Sequence, residues 1–179
     1  MSTIRAATGV GKPTRYMKGV QRQAFFRFGE EFHSVALKAG SPLVRAYLLG
    51  QALELYLKAF LLASGATTKD AKDKYRHNLV KLLKAAEAAG ISSHVRVSEQ
   101  LRNDIEALNA LYATKALQYF SLIHVFHNPA LPDLARLVRA AKNLRRELPK
   151  VITRGPNQAL QPTSLPPLRA VKAAAELRR

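Results

Sequence analysis

Two side chains of opposite charge, Glu54 and Lys58, stand four residues apart in a stretch that is otherwise almost wholly apolar. With the acid first, this is the favourable order for an intrahelical ion pair, and in apolar surroundings such a pair must be satisfied or open onto a crevice. His77 lies just ahead of a leucine-rich segment, where a ring nitrogen can satisfy the free N–H groups of a helix start. Glu54, Lys58 and His77 are the candidate ligand-binding residues. His124 and His127 are spaced to present two imidazoles on one helix face, but no Cys, Asp or Glu lies beside them, so no metal site is expected. The chain has no cysteine, which excludes a disulfide scaffold, a thiolate zinc site and a cysteine nucleophile. No Gly-rich phosphate loop, nucleophile elbow or paired-carboxylate motif is present, and no cofactor is expected; Gly11-Lys12 echoes a phosphate loop, but Pro13 breaks it.

A second group of residues could act on polyanions. Arg136, Arg139, Lys142 and Arg146 fall on one face of the last amphipathic segment, opposite Leu134, Leu137, Val138, Ala141, Leu144 and Leu148. Such a stripe is either a solvated helix face or a track for a phosphate backbone, and these four are the candidate nucleic-acid-binding residues. The whole chain carries 29 Lys+Arg against 12 Asp+Glu, a net +17, which favours polyanionic partners. Much of that charge is terminal: residues 1–22 hold five bases and no acid, and residues 150–179 hold six bases and one acid. The excess carried by the residues between them, 23–149, is therefore much smaller than the total.

The elements that must position these residues can be read from the punctuation. With 179 residues, 47% of them hydrophobic, the chain is about one domain with enough apolar surface for a core. The first helix is expected from about Met17 to Ala39, its apolar stripe formed by Val20, Ala24, Phe28, Phe32, Val35 and Ala39, with Gly40 as its C-terminal stop. Ser41-Pro42 opens the second, 42–64, which Gly65 ends. A polar link follows, with one helical turn around Lys69–Lys74. The third helix starts near Asn78 and runs to Gly90, and the fourth starts near Ser98. Residues 113–128 read equally as short strand or irregular lead-in, and a last helix runs from Pro132-Asp133 to about Leu148. The fold class is all-α, an antiparallel bundle of four to five helices over residues 17–150, between a basic flexible arm (1–16) and a Pro-rich basic tail (151–179) expected to be disordered.

The residues Ala52-Leu53-Glu54-Leu55-Tyr56-Leu57-Lys58-Ala59, then Tyr75-Arg76-His77-Asn78-Leu79, then Leu82-Leu83 and Ala86, resemble a HEPN domain. The shared pattern is an E-x-x-x-K-A step in a buried helix, a polar link, and H-[ND]-L opening a leucine-rich helix. The resemblance implies a small helical module that binds RNA or nucleotide and pairs as a homodimer. Active ribonucleases of that family carry an Arg-x(4–6)-His motif near the start of the final long helix, where arginine neutralises the scissile phosphate and histidine handles the proton of the ribose 2′-hydroxyl. Here the comparable positions are Gln118 and His124, with Lys115 as the nearest cation. These three are the catalytic candidates the resemblance implies, but glutamine brings no charge to a developing phosphorane, and lysine no bidentate fork. An intact Arg-x5-His, Arg27 and His33, lies in the first helix, outside the family position, and reads as coincidence.

The carboxyl-terminal residues Asn157–Thr163 and Ala173–Arg179 resemble translated recombination-site sequence at the end of a mobile integron gene cassette. That resemblance implies a bacterial mobile gene, in whose company toxins and defence modules are common. The expectation is a cytoplasmic module without a membrane anchor, acting with a partner rather than as a standard ribonuclease. The alternatives are a ribonuclease toxin using His124, and a protein-interaction bundle that pairs with an antitoxin or a nucleotidyltransferase-like protein.

Overall fold

The computed structural model describes residues 14–113 and 130–153, and among them every regular element is helical. Five helices of ten residues or more form the bundle: α1 (Arg15–Lys38), α2 (Pro42–Ala63), α3 (Leu79–Ala88), α4 (Glu99–Tyr112) and α5 (Leu134–Thr153). The bundle thus draws on both expected flanks, beginning at Arg15 and ending at Thr153. The ambiguous stretch 113–128 lies almost wholly outside the described residues.

Local chemistry sets most of the ends. Ser41 Oγ accepts from Val44 N at 3.5 Å, with Pro42 in the first turn of α2. Asn78 and Ser98 cap α3 and α4 in the same way. Gly65 and Gly90 take the left-handed backbone (φ 106° and 90°) that stops α2 and α3. Gly40 is different. Its φ is not positive, and α1 stops because Ala39 is already extended (φ −67°, ψ 124°). The last helix also outruns its expected end: it passes Pro149, and burial of Leu148 and Ile152 on one face carries it to Thr153.

The centre of the bundle is α2, which touches each of the other four helices. It is long and apolar enough to cross a membrane by composition, yet 78% of that window is buried inside the protein. Tyr56, Phe60, Leu49, Leu53 and Leu57 are fully enclosed, meeting Leu79 and Leu82 of α3, Leu108 of α4 and Leu137 and Leu148 of α5 in one core.

The expected inner stripe of α1 is used only in part: Ala24, Phe32 and Ala39 are half-buried, with Phe32 packed against the core. Val20, Phe28 and Val35 are exposed, and the buried residues are Gly29, His33 and Ala36. The reason is close approach: a Cβ at Gly29 would lie 2.9 Å from the Tyr56 ring, so α1 meets α2 through its small residues. Phe26 stacks obliquely on Tyr56, with ring centroids 5.6 Å apart, and His33 meets the same ring edge-on at 6.4 Å.

His33 is 2% exposed, and its Nε2 has no hydrogen-bond partner among the described residues. Burial, with Arg145 nearby and Glu30 partly opposing, lowers its pKa below the ordinary histidine value. The unfolded chain therefore binds a proton at a pH where the folded chain does not, so stability is held above about pH 6.5 and lost as the pH falls below it. The expected result is a thermal midpoint that drops between neutral pH and about pH 5.5, with a shallower drop in His33→Phe. An equal slope in the two proteins would assign the loss to other groups.

Candidate functional site

Glu54 and Lys58 lie on the buried middle of α2, at 3% and 7% exposure. A carboxylate in that position must be satisfied from every side. Lys58 Nζ donates to Glu54 Oε1 at 2.6 Å across one helical turn. Tyr112 OH, from the last turn of α4, donates to Oε2 at 2.7 Å. His77 Nδ1 lies 3.0 Å from the same oxygen. An ionised carboxylate only accepts, so Nδ1 carries the proton and Nε2 is left for another partner. Burial first, then the charge of Glu54 and its hydrogen bond, push the Tyr112 phenol far above its usual range, so Tyr112 is a fixed donor.

Two features aim Tyr112. Its ring lies over Gly50, one turn before Glu54; a Cβ there would come within 2.6 Å of Cδ2. Asn109, one turn back on α4, accepts from Leu79 N at 2.8 Å and ties α4 to the start of α3. The ring of His77 meets that of Tyr112 edge-on, with centroids 6.5 Å apart.

The link from α2 to α3 brings His77 to this carboxylate. Thr67 and Asp70 form a reciprocal capping box around the helical turn Thr68–Asp70, and Lys74 closes on Asp70 at 2.7 Å. A π-helical turn, Ala71–Tyr75, follows. Asn78 N then donates to Tyr75 O at 2.9 Å, closing a tight turn through Arg76 and His77. Asn78, not His77, caps α3, accepting from Lys81 N at 2.8 Å.

Beside this cluster, with Lys58 and His77 on its wall, lies a cleft of about 880 Å³, within the size range of small-molecule sites. Lys58, Lys72, Lys74, Arg76 and Lys81 line it with His77, Phe25 and Asn78, and among the described residues Asp73 is the single acid on its wall. Lys58 and Lys74 are neutralised by Glu54 and Asp70. Lys72, Arg76 and Lys81 are exposed and make no ion pair with a described residue. The wall can hold an anion with several oxygens, and His77 can offer its second nitrogen to it.

The residues singled out by sequence thus divide into groups. Glu54, Lys58 and His77 converge. Lys115, Gln118 and His124, like His127, lie outside the described residues. Arg27 is exposed and His33 buried, so that spaced pair faces no common cleft. On α5, Arg136 is held by Asp104 at 2.5 Å and Asp133 at 3.2 Å, and Arg146 by Glu147 at 2.8 Å. Arg139 and Lys142 are exposed with no ion pair to a described residue, and no α5 residue lines the cleft. Among the described residues no three His, Asp or Glu side chains come together as a metal site.

Sequence reasoning missed Tyr112, Asn109 and the cleft cations Lys72, Lys74, Arg76 and Lys81. One signal pointed to Tyr112: a glycine at position 50 costs about 1 kcal/mol against alanine in a helix interior, which marks a place where a neighbour needs the room. No protein family, no curated protein and no solved structure matches the chain.

Proposed function

We propose that the chain is a HEPN-like helical module that binds a phosphate-bearing ligand, RNA or a nucleotide, and acts with a partner rather than as a standard ribonuclease. The observation that carries this reading is the cleft wall, where among the described residues Lys72, Arg76 and Lys81 stand without an ion-pair partner beside His77, and Asp73 is the one acid. Phosphate oxygens are the complement of such a wall, and their binding releases counterions. The partner half of the reading rests on α1, whose Tyr16, Met17, Val20, Phe28, Val35 and Leu37 are exposed with Val44 of α2.

The test is a mobility shift of single-stranded RNA across salt concentrations. Retention of RNA at low salt and its loss with rising salt are expected. The double variant Lys72→Glu/Lys81→Glu is expected to weaken binding by about tenfold or more and to lower the salt slope by about two. Arg139→Glu/Lys142→Glu on α5 tests the alternative surface and is expected to matter less. Absence of any shift at low ionic strength, together with no saturable binding of a nucleotide, would sink the reading.

A further inference from the structure

Arg76 has a backbone that its side chain disfavours. Its φ is 47° and ψ −116°, and the hydrogen bond from Asn78 N to Tyr75 O closes the turn around it. These angles are those of the first central residue of a type II′ turn, a position dominated by glycine because a Cβ is crowded there. Arg76 is the one described non-glycine residue with positive φ.

Strain of this kind persists where something offsets it. The contacts that flank the turn hold it, but the Arg76 side chain adds nothing to that hold: it is exposed and forms no hydrogen bond or ion pair with a described residue. Glycine would make the same turn at lower cost and still deliver His77 to Glu54. The turn itself is firmly held on both sides, by the His77–Glu54 contact at 3.0 Å and by the Asn78 cap of α3. What arginine adds is a guanidinium at the wall of the cleft, on the residue next to His77.

Building on the phosphate-binding reading of the cleft, we propose that Arg76 is its phosphate-gripping residue, its fork presented by the strained Tyr75–Asn78 turn with the His77 ring as the neighbouring contact. The guanidinium matches two phosphate oxygens at once, which lysine cannot do. The shared chemistry is the phosphate group, whether on an RNA backbone or on a free nucleotide.

Three variants of the full chain separate the grip from the strain. Arg76→Gly removes both and is expected to raise the thermal midpoint by about 3–6 °C while weakening phosphate binding about tenfold. Arg76→Ala keeps the crowded backbone, so its midpoint stays near that of the parent, with the same loss of binding. Arg76→Lys keeps strain and charge without the fork, and is expected to fall between parent and alanine. Binding is read with two probes, a short single-stranded RNA and ATP. A loss on either probe supports the grip and names the source of the phosphate.

Parent-like binding of both probes by Arg76→Ala would overturn the proposal, as would a glycine variant no more stable than the parent. A parent protein that binds neither probe overturns the cleft reading and the grip with it. Intact parent binding with an unaffected alanine variant overturns the grip alone.

Discussion

Glu54→Leu is expected to destabilise the protein by about 3–5 kcal/mol, the cost of leaving one member of a buried ion pair without the other. Lys58 Nζ would lose its 2.6 Å acceptor in a position where water hardly reaches, and the Tyr112 hydroxyl would lose its acceptor as well. His77 would suffer least, since its side chain is 56% exposed and can turn to solvent. The companion variant Glu54→Leu/Lys58→Met is expected to be more stable than Glu54→Leu alone, because no charge is then left in the core. Urea midpoints of these two and of Lys58→Met decide the matter. If the double variant is as unstable as the sum of its singles, the charge pair is not the origin of the effect. Both variants are expected to lose the orientation of His77 and to bind phosphate more weakly than the parent.

The second large effect concerns Gly50. Glycine to alanine inside a helix ordinarily stabilises by about 1 kcal/mol. At position 50 the added Cβ would meet Tyr112 at 2.6 Å, and the ring cannot simply step aside while its hydroxyl is bonded to Glu54. The net expectation is a loss of about 2 kcal/mol, in the range of overpacked cores. In a Tyr112→Ala background the obstacle is gone, and the same substitution should regain its ordinary helical benefit. Denaturation of the four proteins of this cycle gives the coupling directly. A Gly50→Ala change that stabilises the parent would show that the ring has room to move.

Much of the fold was legible in the sequence because its signals are local. Ser41-Pro42, Gly65, Asn78, Gly90 and Ser98 each act on backbone groups within four residues of themselves, and all five mark helix ends as their chemistry requires. Where the outcome depended on packing, local signals failed. The spacing of Val20, Phe28 and Val35 has a helical period, but the face α1 buries was decided by how closely Gly29 can approach Tyr56. The last helix outruns its expected end near Leu148, because Pro149 removes only one hydrogen bond and Ile152 has an apolar place to fill.

The site follows the same division. Glu54, Lys58 and His77 announce themselves as charged or titratable groups beside apolar runs. Its spacing from Leu101, Ile105 and Leu108 makes Tyr112 one more member of an apolar stripe, and its hydroxyl is used only because α4 crosses α2 at Gly50. The α5 cations show the converse. Their helical period is real, but Asp104, far away in sequence, captures Arg136, and the unpaired cations of the cleft, Lys72, Arg76 and Lys81, come instead from the polar link and the start of α3.

The four-membered network also dictates when it can exist. Glu54 meets Lys58 within its own helix, His77 at a separation of 23 residues and Tyr112 at 58. Contacts of longer separation carry a larger loop-closure cost and form later on average. A growing chain that has emerged only as far as α3 holds its carboxylate two-thirds satisfied, and the phenol that completes it is the last residue of α4. The four-membered cluster is therefore complete only once the helix that carries Asn109 and Tyr112 has docked on α2.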